Sequence, residues 1–287
     1  MDEAPVAPAP ATQTSASPAP APQQHEGSEG TTEHSTEDLA KATQNPVAAL
    51  ISVPFQSNTY FGVGERKDTA ELLKIQPVIP QNIGDWNLIH RTVLPVAYLP
   101  FSAITPLNQP VPGGGDFGLG DTTYTCFVSP AQPGKLIWGV GPAITLPTAS
   151  HKTLGAGKFS AGPSAVFLTS NGPIVAGVLL QQQWSVAGEK ARPDVSSGLV
   201  QPFFNYNFPK GWYFSSSPII TVNWNGERAQ KWTVPVGGGF GRVFTLGKQP
   251  VNVSGQLYYN AIRPVGASSW DLRLSFSLLF PTHGAKK

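Results

Sequence analysis

The chain has 287 residues, of which only 13% are charged, about half the ~25% usual for a soluble domain. Net charge is +2, and no apolar run approaches the ~20 residues of a membrane helix. One cysteine, Cys126, excludes an internal disulfide framework and a cysteine-rich metal site, while 30 Gly and 29 Pro argue for many turns and against long helices.

Charge is uneven along the chain. Seven of the 17 acids precede Leu39 and no Lys or Arg does, so the remainder carries about +9. Its basic residues are scattered among segment ends rather than gathered with aromatics, which excludes a nucleic-acid surface. Met1–Ala4 lacks the basic and apolar regions of a secretory signal. A membrane reading therefore requires a mature form with a new Met.

Residues 1–35 are rich in Ala, Pro, Gln, Ser and Glu and have almost no large apolar side chains. Burial cannot offset their ordering entropy, so a disordered, extended linker is expected. Residues 36–50 read as a short helix. Ser35 or Thr36 caps it, Glu37 and Asp38 lie in its first turn, and Asn45-Pro46 breaks or restarts it. It plugs a lumen or lies on a membrane surface; Asn45 and Pro46 mark the plug reading.

From Ile51 the pattern changes to period two, the signature of strands with one apolar and one polar face. Twelve such segments follow: 51–62, 70–81, 86–100, 117–130, 135–147, 157–170, 173–187, 195–208, 212–225, 230–246, 250–263 and 269–280. The last is the clearest. Trp270, Leu272, Leu274, Phe276, Leu278 and Phe280 alternate with Asp271, Arg273, Ser275 and Ser277. Connections alternate between tight turns such as Asn171-Gly172 and longer polar loops such as 148–156. That rhythm predicts a transmembrane antiparallel up-and-down β-barrel of about twelve strands spanning 51–280, followed by a polar tail, 281–287. A soluble β-sandwich is the alternative fold.

Parity sorts the side chains. Lys74, Arg91, Asp121, Lys158, Gln181, Gln201, Phe203, Asn205, Tyr258, Asp271 and Arg273 fall on the lumenal side. Amides there would need partners in a dry core, but not in a water-filled bore. Ion pairs among the charged ones are expected to help close the first strand on the last; the alternative is that these charges set pore selectivity. Trp86, Trp184, Trp212, Trp224, Trp232 and Trp270 fall near segment ends, as interface girdles require. Arg242 has outward parity but lies near a turn, within reach of headgroups. Pro54, Pro77, Pro95, Pro142, Pro163, Pro202, Pro218 and Pro235 lie inside strand-like segments. They imply bulges or gaps, because proline cannot donate to a ladder. These either shape curvature or open the wall toward lipid.

No catalytic motif and no metal-ligand spacing is present, so neither a cofactor nor a metal is expected. Gly237-Gly238-Gly239-Phe240-Gly241 lacks the Lys-Ser/Thr of a phosphate loop and reads as close packing.

Several stretches are familiar as a set: Leu39-Ala-Lys-Ala-Thr-Gln-Asn-Pro-Val-Ala48, Leu50-Ile-Ser-Val-Pro-Phe-Gln56, Ile75-Gln-Pro-Val-Ile-Pro80, Gly118-Leu-Gly-Asp121, Pro133-Gly-Lys-Leu-Ile-Trp-Gly-Val-Gly-Pro142, Leu199-Val-Gln-Pro-Phe-Phe-Asn-Tyr-Asn207, Ser216-Ser-Pro-Ile-Ile-Thr221 and Gly247-Lys-Gln-Pro-Val-Asn252. Over about 39–281 the chain resembles outer-membrane transporters grouped with the phenol-degradation meta-pathway proteins, some labelled neuromedin U. The resemblance implies a bacterial outer-membrane channel for small hydrophobic or aromatic molecules, with no catalytic residues to transfer. Its partners would be outer-membrane lipid, lipopolysaccharide and the barrel-insertion machinery. A departure from such barrels is the tail after Phe280. The alternatives are a structural or adhesive barrel and an outer-membrane enzyme acting on lipid.

Overall fold

The computed structural model describes residues 36–100, 103–104, 110–111 and 115–281. The linker 1–35, the capping Ser35 and all of the tail but Pro281 lie outside the described residues.

One helix, α1 (Thr36–Thr43), precedes the sheet. Its i→i−3 bonds, Gln44 N to Lys41 O and Asn45 N to Ala42 O, tighten the last turn. Pro46 has no N–H to continue it, so the helix does not reach residue 50. Asn45 Oδ1 instead accepts the Val47 N–H at 3.0 Å, an Asx turn that leads into the first strand.

Twelve strand positions follow. They are β1 (Leu50–Val63), β2 (Asp68–Ile75 and Val78–Ile83), β3 (Trp86–Leu99), β4 (Asp116–Leu119 and Thr122–Pro130), β5 (Leu136–Leu146) and β6 (Lys158–Asn171). Then come β7 (Ile174–Gly188), β8 (Ser196–Asn207), β9 (Trp212–Ser216 and Ile220–Asn223), β10 (Trp232–Leu246), β11 (Gln249–Ile262) and β12 (Trp270–Pro281). Each pairs antiparallel with its sequence neighbours. β12 returns to β1 over the register Leu50↔Pro281 to Phe61↔Trp270, which closes the barrel. Unbroken strands run from 11 to 15 residues, enough to cross a hydrocarbon core at a tilt.

Turns at one end are short. Gly172 there adopts φ 54°, a left-handed conformation that glycine accepts without steric cost and that a tight hairpin needs. Loops at the other end are longer. Among the described parts of the loop between β3 and β4, Ala103–Ile104 and Pro110–Val111 form a small separate ladder.

The proline positions mark irregular pairing. In β1–β2 the register passes from Phe55↔Ile75 to Ser52↔Val78 across Pro54 and Gln76-Pro77. Pro142 and Pro163 face each other across β5–β6. The ladders on either side skip two positions there, between Thr125↔Ala143 and Val128↔Val140 and between Ala161↔Trp184 and Ser164↔Gln181. In β8–β9 pairing stops at Phe204↔Ser216 and resumes at Val200↔Ile220, on either side of Pro202 and Pro218. A register shift also falls at Pro235.

Candidate functional site

The inward side chains form two apolar layers and a polar middle. Val47 packs with Ile89, Phe127, Val166, Leu168, Val175, Leu179 and Phe203 on one side of the bore. Gly139 makes room for it, since a Cβ there would come within 2.8 Å of the Val47 methyl. On the other side Leu39 and Ala40 of α1 pack with Leu50, Tyr213, Val243 and Leu279. Gln44 and Asn207 exchange a reciprocal amide pair at 2.8 and 3.0 Å. Segment 36–50 therefore lies against the inner wall at the short-turn end.

Beyond it is a cavity of about 250 Å³. Asn45, Pro46 and Ala48 contribute its floor, Phe203, Leu179 and Val78 its apolar side, and Arg91, Gln56, Gln76, Gln201, Asn205 and Ser217 its polar side. Pro54, Gln76 and Ser217, at the wall irregularities of β1–β2 and β9, also line it.

The polar wall is a chain of oriented amides. Arg91 Nη2 donates to Gln76 Oε1 at 2.7 Å and Gln56 Nε2 to Asn58 Oδ1 at 3.0 Å, with a longer link of 3.4 Å from Gln76 Nε2 to Gln56 Oε1. Asn58 Nδ2 ends the chain on Leu72 O. Across the seam from Asn58, beyond its partner Arg273, Tyr258 Oη accepts the Ser217 N–H at 2.9 Å and donates to Gln256 Oε1. The broken strand β9 would otherwise leave that N–H unpaired. Arg273 Nη1 donates to Ser217 O at 3.0 Å and to Gln256 Oε1 at 3.2 Å, and its guanidinium lies 4.8 Å from the Tyr258 ring centroid. Gly241 of β10 makes room for Tyr213: a Cβ there would fall 2.3 Å from its ring.

The structure sorts the expected lumen residues into groups. Arg91, Gln201, Phe203 and Asn205 line the cavity. Tyr258 and Arg273 border it through Ser217. Lys74 borders it through Gln56, its partner across β1–β2. Gln181 points inward between Ser164 and Leu199, away from the cavity wall. Asp271 accepts from Ser268 Oγ and Asn260 Nδ2. Asp121, in the gap of β4, accepts the backbone N–H groups of Ala149 and Ala156 and so fastens the long loop before β6 rather than lining the bore. Lys158 bonds Asp194 Oδ1 at 2.9 Å at the mouth.

That is the only ion pair among the described residues; the pairs expected to close β1 on β12 do not form. The backbone ladder closes the seam without them, and Arg273 bonds neutral groups there instead. Gln56, Gln76 and Asn58 escaped the sequence reading, whereas parity puts Ser217 on the polar face of its strand. The signal of the three was present in the β1 alternation and in the adjacency of Gln76 to Pro77.

Lys158 holds the exposed Asp194 carboxyl below its ordinary range, first by hydrogen bonding and then by charge. A depressed carboxyl stabilises its contact above the unfolded value and loses it as pH falls through the folded one. Protection of the Val195 amide, whose N–H donates to Ser185 Oγ, measured against its intrinsic exchange rate, should therefore be present at neutral pH and fall below about pH 4. Unchanged protection at acid pH would remove the pair from the loop's anchoring.

The six tryptophans are all outward and exposed, from 37% (Trp232) to 48% (Trp184). Trp184, Trp224, Trp232 and Trp270 lie toward the long loops and Trp86 and Trp212 toward the short turns, where Trp138 joins them by an edge contact with Trp86. Arg242 lies 5.3 Å over the Trp212 ring.

No family model matches the chain, and no relative is found among curated proteins. Solved structures do match. The COG4313 outer membrane channel from Pseudomonas putida F1 superimposes with a TM-score of 0.61 at 15% identity, over 82% of this chain and 97% of that one. A CymD monoaromatic hydrocarbon channel gives 0.46 at 11% identity, over 88% and 92%. Outer membrane phospholipase A from Escherichia coli gives 0.44 at 11% identity, over 86% and 98%. The first likeness shows architecture alone: this chain folds as a closed twelve-stranded barrel of the outer-membrane kind.

Proposed function

We propose that the protein is a channel of the bacterial outer membrane for small, hydrophobic or aromatic molecules. The observation that carries this reading is the cavity inside the bore. It has one apolar and one polar side and is floored by segment 36–50 acting as a plug. Binding sites for small molecules have this mixed lining. The exposed apolar outer faces and the two tryptophan tiers supply the lipid contact, with short turns toward the periplasm. The irregular pairing beside Pro54, Gln76 and Ser217 gives the cavity a second way out, through the wall into lipid.

Uptake of phenol into vesicles whose outer leaflet is lipopolysaccharide tests this. Wild-type protein should accelerate uptake over protein-free vesicles. Phe203→Asp, which puts a charge on the apolar wall, should reduce that gain severalfold while heat-modifiable migration persists. No acceleration by the wild type would refute the channel and leave the structural and lipid-enzyme readings.

A further inference from the structure

Among the described residues the bore holds more positive charge than is neutralised there. Lys74, Arg91 and Arg273 all project inward, and none has a carboxylate within ion-pair distance among the described residues. Among the described residues Arg91 has one hydrogen bond, to a neutral amide, although a guanidinium carries five N–H donors. Lys74 has no hydrogen bond among the described residues. Arg273 Nε is buried without a partner among the described residues. Arg273, Arg91 and Asp271 lie near enough for their charges to act on Lys74, so three cations share one carboxylate. That carboxylate is already held by Ser268 and Asn260.

Unpaired charge inside a membrane protein is expensive and is kept where it meets a ligand or a permeating ion. The amide chain from Gln76 to Asn58 turns its oxygens toward Arg91. It steadies the guanidinium without cancelling its charge.

We propose that the cavity binds a small organic monocarboxylate, its carboxylate on Arg91 with Lys74 and Arg273 behind it and its apolar part on Phe203 and Leu179. Arginine suits this because its planar fork matches a carboxylate with two parallel bonds. The volume, about 250 Å³, lies below the ~300–1,000 Å³ of drug-sized pockets, so the ligand is of the size of a single ring or short chain. The role of this ligand as cargo rests on the channel reading; its binding does not.

Calorimetric titration of the full chain in an uncharged detergent tests the site, with benzoate and benzyl alcohol as probes. Benzoate should bind at least tenfold more tightly than benzyl alcohol. Arg91→Gln should remove that preference and Arg91→Lys should keep part of it, each checked for heat-modifiable migration. Should Arg91→Gln fail to fold, Lys74→Gln should weaken benzoate severalfold and leave benzyl alcohol unchanged. Equal affinity for the two probes, or benzoate binding indifferent to both variants, overturns the proposal. Benzoate binding by a protein that moves no solute across vesicles would leave the site standing and sink the channel. Phenol uptake with no preference for benzoate in the titration would do the reverse.

Discussion

Arginine in place of Leu274 should destabilise the barrel by about 2–4 kcal/mol, the cost of a cation at mid-membrane on a lipid-facing strand. Leu274 is the fifth of twelve residues of β12 and is 51% exposed, between the outward Leu272 and Phe276. Its cross-strand neighbours are Ser57 and Gly255, so no nearby carboxylate could receive the guanidinium. Every 1.4 kcal/mol is a factor of ten in an equilibrium constant, so the folded-to-unfolded ratio from urea titrations in lipid vesicles should fall by about thirtyfold to several hundredfold. Leu246→Arg is the matched control. Leu246 is also outward, 64% exposed, at the short-turn end of β10, near Arg242. At interface depth the same change costs only about 0–1 kcal/mol. Equal costs at the two positions would mean that water, not hydrocarbon, covers the outer face.

Aspartate at Leu39 should open the bore. Leu39 is 5% exposed against Leu50, Tyr213, Val243 and Leu279, and an unpaired carboxylate there would be costly to bury. An eight-residue helix has little stability of its own. Its least costly response is to leave the wall, taking the Gln44–Asn207 amide pair with it. The strand ladders do not depend on α1, so heat-modifiable migration should survive. Single-channel conductance in planar bilayers should rise severalfold. A folded Leu39→Asp barrel with unaltered conductance would show that segment 36–50 does not limit passage.

The strands could be read from the chain because period-two alternation is local: each side chain's parity declares its face. The same rule put Arg91, Phe203 and Asn205 on the bore without any knowledge of partners. The prolines revealed where pairing falters, but not that Pro142 and Pro163 would meet, since register is a property of two strands. Asp121 was misread because parity fails at a break. Its carboxylate follows a loop more than 25 residues away in sequence that folds back onto it. The cation excess was hidden for a related reason. Composition counts charges, and only the fold shows that Asp271 is engaged elsewhere while Lys74 has no carboxylate partner among the described residues. The family resemblance anticipated the architecture, which the superposition on the Pseudomonas channel shares at an identity too low to carry more.

The seam between Leu50 and Pro281 joins the two ends of the folded domain. No intermediate lacking β12 can be free of raw edges, because β1 and β11 would each present an unsatisfied row of N–H and C=O groups. In hydrocarbon such rows cannot be left open. A chain truncated before Trp270 should therefore stall outside the bilayer and aggregate rather than persist as an eleven-stranded pore.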